Sequence, residues 1–223
     1  MAYPIMLPNS TWYKGSTLRT TLTEVHFMDS YTPTEAIVES WSADVDNTGA
    51  ITCYVEGTVL TIVGNGSGKI ALNSDSSKVF YYPGDFFSNV AIISGLNLLD
   101  TSNVTTLQAM FANCSSVISL DVGSWDTSKV TSLRQTFTGC SALTGLDVSN
   151  WDTRNVETML GLFTKASSLT SLDLSNWDTS KVTSFKNMFA GGQGVIMSLT
   201  SIGDTSNWDT SSLTEMEGMF QRC

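Results

Sequence analysis

The chain has 223 residues, of which 41% are hydrophobic, a composition that supports a packed core and excludes a disordered polypeptide. Its 21 acidic and 11 basic side chains leave a net charge of −10. That charge disfavours phosphate backbones and anionic membrane surfaces, and no apolar run approaches the roughly 18 residues of a spanning helix, so neither nucleic acid binding nor membrane insertion is expected.

The chain opens Met1-Ala2-Tyr3-Pro4-Ile5-Met6-Leu7-Pro8, with no basic region and no sustained apolar stretch. It therefore does not read as a secretory signal peptide. Residues 1–35 are polar and rich in Thr and read as an N-terminal segment able to serve as a docking arm, with strand character around Leu18, Leu22 and Glu24–Met28.

Residues 36–85 read as a β-rich capping region. Ile51–Val55 and Thr58–Val63 are β-rich runs, and Glu56-Gly57 between them predicts a tight hairpin. Asp44-Val45-Asp46-Asn47-Thr48-Gly49 resembles the first half of a calcium loop, but the bidentate Glu is missing, so a solvated turn is expected. Gly64-Asn65-Gly66-Ser67-Gly68-Lys69 has a phosphate-loop look. Val63 and Ile70 stand where that motif needs Gly and Ser or Thr, and a turn is expected there too.

Residues 86–223 are dominated by a repeat. Leu120, Leu146 and Leu172 open LDVGSWDTSKV, LDVSNWDTRNV and LDLSNWDTSKV; Asn207 opens a shorter copy and Leu96 a degenerate one. Trp125, Trp151 and Trp177 are 26 residues apart, as are Phe111, Phe137, Phe163 and Phe189; Trp208 and Phe220 each follow after 31. The added length falls around Gly191-Gly192-Gln193-Gly194. Leu143-x-x-Leu146-x-Val148 has the apolar spacing of a leucine-rich repeat strand, with Asp147 pointing outward. Val130, Leu133 and Phe137 have a helical spacing, with Asp126, Thr127 or Ser128 as N-cap and Gly139 past the C-terminus. The expected fold is an α/β leucine-rich-repeat-like solenoid of about five coils, each a short parallel strand and a short helix, with the β-rich region as its N-terminal cap.

Several residues in the repeats have types that carry chemistry. Asp121, Asp147 and Asp173 form one carboxylate ladder, Asp126, Asp152, Asp178 and Asp209 another. Like charges ~5 Å apart repel by about 0.8 kcal/mol in water. Turn N–H groups offset this for the second ladder. The first has no evident partner, which makes Asp121, Asp147 and Asp173 the candidate ligand-facing ladder, weighed against plain solvent exposure. The Trp ladder reads as core rather than as a sugar-stacking platform. Cys114, Cys140 and Cys223 share one slot with Ala166 and Gly192, which suggests a packed position, although coil spacing would permit a Cys114–Cys140 disulfide. His26 is the only histidine. No catalytic triad, paired-carboxylate site, zinc cluster or cofactor motif is visible, so no enzyme activity and no cofactor are expected. Met216, Met219 and Phe220 form an uncapped last coil and a candidate docking end, from which self-association into a homo-oligomer or a larger assembly is expected.

The unit LDLSNWDTSKVTSFKNMF, its W-D-T-S and M-F elements above all, closely resembles the BspA-like leucine-rich repeat surface proteins over residues 96–223, and Trp41–Val79 resembles the β-rich segment that precedes such repeats. The resemblance implies a scaffold that binds other proteins or surface glycans, as an adhesin would. Short, signal-less forms resemble bacteriophage structural proteins. The leading expectation is thus a phage virion component, tail-associated or head-surface, which contacts the host surface or another virion protein. A bacterial cell-surface adhesin is the first alternative and a carbohydrate-active enzyme the second.

Overall fold

The computed structural model describes residues 6, 21–33, 37, 39–46, 48–81 and 87–223. Most of the expected N-terminal docking arm, including Leu18, lies outside the described residues, as does Asn47 of the calcium-like loop.

The first half builds a five-stranded mixed sheet. Its strands are β1 (Glu24–Met28), β2 (Glu39–Ser42), β3 (Thr52–Glu56), β4 (Val59–Val63) and β6 (Ile92–Ser94), in the order β2-β3-β4-β1-β6. β2, β3 and β4 pair antiparallel, whereas β1 runs parallel to β4 and β6. Alternation sets the faces: Val25 and Phe27 of β1 are buried and Glu24 and His26 are not, and Cys53 and Val55 of β3 repeat the pattern. β4 is buried along nearly its whole length, as its unbroken run Leu60-Thr61-Ile62-Val63 demands. The hairpin turn falls one residue later than Glu56-Gly57, because Glu56 still pairs with Val59; Gly57, at φ 58°, takes the first loop position.

The repeats do not form the expected α/β solenoid with a helix in every coil. Among the described residues there is no α-helix, only one 3₁₀ turn at Leu96–Leu98, and the strands of the repeat region are two residues long: β5 (Ile70–Ala71), β7 (Leu99–Asp100), β8 (Ser119–Leu120) and β9 (Gly145–Leu146). The segment read as helical is a pair of tight turns. Thr136 N–H donates to the Leu133 carbonyl and Cys140 N–H to that of Phe137, each an i+3 to i bond. Gln135 (φ 57°) and Gly139 (φ 75°) sit at the third position of these turns in the left-handed region, the signature of a type II turn. A left-handed residue every fourth position cannot continue an α-helix.

The remaining backbone donors point sideways. Leu133, Gln135, Phe137 and Gly139 donate to the carbonyls of Thr158, Leu160, Leu162 and Thr164 in the following repeat, at 2.8–3.1 Å. The same four bonds recur from Met159, Gly161, Phe163 and Lys165, and from Phe185, Asn187, Phe189 and Gly191. Isolated parallel bridges mark each boundary: Thr106↔Ser132, Ser132↔Thr158, Thr158↔Ser184 and Ser184↔Glu215.

The series begins earlier than Leu96. Asp75 bridges to Thr106, Ile70–Ala71 pairs with Leu99–Asp100, and Phe80 N–H donates to the Met110 carbonyl. Phe80 stacks on Phe111 (centroids 5.1 Å, 8° between planes) and opens a column that runs on through Phe137, Phe163 and Phe189 to Phe220 at 5.3–5.8 Å. Sheet and repeats share one core: Phe27 of β1 meets Phe80 edge-on at 6.0 Å. Gly95 makes the junction. It is at φ 74°, and a Cβ there would lie 2.1 Å from the Phe27 carbonyl oxygen.

Candidate functional site

The side chains that offered chemistry in the sequence are mostly spent on the boundaries between repeats. Trp125, Trp151 and Trp177 are buried, and each indole Nε1 donates to a carbonyl of the preceding repeat: Leu96, Val122 and Val148, all at 3.0 Å. Trp208 donates to Leu174 at 3.3 Å and is half-buried. A buried indole with its one donor satisfied has no face for a sugar.

The cysteine slot behaves similarly. Cys114, Cys140 and Cys223 are free thiols whose Sγ atoms approach the carbonyls of Phe80, Phe111 and Phe189, each in the preceding repeat. Burial pushes the Cys140 thiol up to about 12 and raises that of Cys114 as well, so both stay protonated. Thr127, Thr153 and Thr179 of the W-D-T unit are buried, and their hydroxyls donate to the carbonyls of Asp152, Asp178 and Asp209 in the next repeat.

Most of the carboxylates have local partners, whereas Asp121, with Gly123 two places on, has none among the described residues. Asp147 accepts from both the N–H and the hydroxyl of Ser149, and Asp173 does the same with Ser175. These bonds hold both carboxyls below their ordinary range. Asp121, Asp147 and Asp173 are all exposed, so the ladder faces solvent along one side of the repeats. The short-range signal for these partners was the serine two places after Asp, an Asx-type turn. In the second ladder Asp126, Asp178 and Asp209 accept from the N–H groups of Ser128, Ser180 and Ser211. Asp152 departs from this: it holds the N–H and, at 2.9 Å, the Nε of Arg154. Arg154, Asp152, Asn150, Asn176 and Asp178 line an open trough of about 530 Å³ around the edge of Trp151.

At the last repeat, Phe220 is 52% exposed and Met216 57%, while Met219 is buried. Ile196, 73% exposed, belongs to the five-residue expansion, which turns at Gly192–Val195 and is pinned by Arg222 Nη1 on the Gly192 carbonyl at 2.7 Å. Phe220, Leu199 and Ile202 border a shallow hollow of about 200 Å³. Among the described residues, the N–H groups of Met216, Gly218, Phe220 and Arg222, equivalents of the four donors that cross each of the four preceding boundaries, meet no backbone acceptor.

Two features of the sheet were not legible in advance. Asp44 is 3% exposed and accepts from Ser42 Oγ, from the N–H and hydroxyl of Thr48, and from the N–H groups of Gly49 and Ile51. Burial raises its carboxyl, but the bonds from Ser42, Thr48 and Ile51 together outweigh this and hold it well below the usual range. That carboxylate is the hub of a turn, with protein N–H and O–H groups where a cation would need to be. His26 lies between Ser94 Oγ (2.6 Å from Nδ1) and Glu24 Oε2 (2.8 Å from Nε2), a row that ties β6 to β1. Ser94 is 68 residues from His26 and joins it only through the parallel pairing of the two strands. Among the described residues, no group of three or more His, Cys, Asp or Glu side chains is placed to hold a metal ion.

Framework and surface together define a repeat protein with bonded boundaries and exposed polar arrays. Residues 83–202 and 132–223 match the family described as Mycoplasma protein of unknown function, DUF285. These matches cover well over half of the chain, and the chain belongs to this family. They fall on the repeats that carry the resemblance to BspA-like surface proteins. No curated protein and no solved structure matches the chain.

Proposed function

We propose that this protein is a non-enzymatic structural and binding protein and, more specifically, a bacteriophage virion component, tail-associated or head-surface, that contacts the host surface or another virion protein. What supports the binding role is the commitment of the Trp, Cys and Thr ladders to bonds between repeats, which leaves a rigid framework with identical exposed groups at regular steps. Membership of a family compatible with non-enzymatic surface proteins supports it as well. Met216 and Phe220, both more than half exposed, offer an apolar surface on which a second copy or another component of the assembly would seat.

A bacterial cell-surface adhesin is the second reading, favoured by the family's description as a Mycoplasma protein. Mass spectrometry of purified particles, set against protease shaving of intact cells, separates the two. Recovery from particles supports the virion reading; recovery only from shaved cells overturns it. Sedimentation tests the assembly face: a stable monomer at micromolar concentration would remove the role given to Met216 and Phe220.

A further inference from the structure

We propose that a groove between the first repeats binds an uncharged saccharide. The groove has a volume of about 300 Å³, at the lower end of the range for small-ligand sites, and runs between Lys78 and Tyr81 on one side and Gln135 on the other. The proposal rests on the reading of the protein as a binding scaffold, but not on which surface displays it.

The first observation is where the backbone accepts a conformation that side chains disfavour. Lys78, Ala109, Asn113 and Gln135 line this groove and are all left-handed, at φ 57°, 53°, 63° and 57°. Among the described residues these are four of the seven non-glycine positions with positive φ; the other three, Lys165, Asn187 and Arg222, share the equivalent slots of later repeats with Gly139, Gly161 and Gly218. Glycine fits this conformation without strain. Four such side chains adjoin in this one groove, and such outliers concentrate at ligand sites.

The second observation is the chemistry of the lining. Gln108, Asn113 and Gln135 present amides that both donate and accept, and among the described residues none of these amides has a hydrogen-bond partner. Among the described residues no carboxylate lines the groove, and Lys78 is the single cation there. Hydroxyl groups, which also donate and accept, are what such amides match, and one lysine gives no ionic clamp for a multiply charged ligand. The third observation is apolar: the ring of Tyr81, half-buried beside the nearly fully buried Ala109 and Ala112, offers a surface for the C–H face of a sugar ring.

Titration calorimetry on the full chain tests this with maltopentaose, cellopentaose and chitopentaose as neutral probes and a heparin tetrasaccharide as the charged one. At least one neutral probe is expected to bind saturably. Gln135→Gly, which removes an amide while giving the backbone the residue its φ prefers, is expected to weaken that binding tenfold or more with the melting temperature unchanged or raised. Tyr81→Ala is expected to weaken it similarly, and Asn150→Ala, in the separate trough beside Trp151, to leave it unchanged. Binding of the heparin fragment alone, or no binding of any neutral probe, overturns the proposal. So does a loss caused by Asn150→Ala but not by Gln135→Gly. Co-sedimentation with host cells separates this from failure of the scaffold reading: cell binding that survives Gln135→Gly keeps the scaffold and removes the groove, whereas absence of cell and particle association removes both.

Discussion

The indole Nε1 of Trp151 donates to the main-chain carbonyl of Val122 at 3.0 Å, across the boundary between two repeats. Trp151→Phe keeps most of the packing and removes the donor, leaving that carbonyl buried and unpaired. A loss of about 2 kcal/mol is expected, read by urea denaturation. Loss of under half that amount would mean that water or a neighbour replaces the indole.

Position in the phenylalanine column sets the cost of losing a ring. Phe163 is buried with a ring on either side, and Phe163→Ala is expected to cost about 4 kcal/mol. Phe220 stacks on one side only and is half exposed, so Phe220→Ala is expected to cost about 1 kcal/mol. The ratio of the two, from the same denaturation experiment, is the informative quantity.

Gly95 carries the junction between sheet and repeats. Gly95→Ala places a Cβ against the Phe27 carbonyl and forces a side chain into the left-handed region, for an expected loss of about 3 kcal/mol or more. Gly66→Ala has the same backbone sign but open space around it, and a loss of about 1 kcal/mol is expected. Thermal unfolding of the two variants checks the difference.

Asp44 makes stability depend on acid. Its folded carboxyl is depressed, so it contributes stability above the ordinary carboxylate range and loses it as the pH falls through the lower folded value. Asp44→Asn is expected to cost about 3 kcal/mol at neutral pH, with the gap to the wild type narrowing below about pH 4. A gap independent of pH would show that the carboxylate's charge is not what holds the turn.

Thiol access separates the cysteines. Cys223 is exposed, whereas Cys53, Cys114 and Cys140 are buried. A thiol reagent should label Cys223 in the folded protein and the other three only as the chain unfolds, as peptide mapping would show.

The period of the repeats was legible because Trp and Phe are rare, large and confined to fixed slots. The local structure within a repeat was not. Val130, Leu133 and Phe137 satisfy a helical spacing, but consecutive four-residue turns place apolar residues at nearly the same intervals. The distinguishing signal was composition: Gly139, Gly161 and Gly218, with Asn113 and Asn187, mark left-handed positions in a segment rich in Thr and Ser. The earliest repeat was missed because its Phe80 precedes Phe111 by 31 residues rather than 26 and no tryptophan accompanies it. That stretched interval is the one that also separates Phe189 from Phe220. In the candidate site, the serine partners of Asp147 and Asp173 lay two residues away and were readable; the Ser94–His26–Glu24 row depended on strand pairing and was not.

The shared four-bond boundary makes the number of repeats a separable variable. A chain shortened by Trp125–Asn150, or lengthened by duplicating it, would bring together surfaces that already fit, because the donors at Leu107 and at Leu133 expect the same acceptors. Each such step would change the span of the exposed face by about 4.8 Å, the separation of neighbouring strands, without altering either end. Recombination between near-identical stretches of coding sequence could therefore tune reach in fixed increments, while the sheet at one end and the stretched interval at the other keep their places.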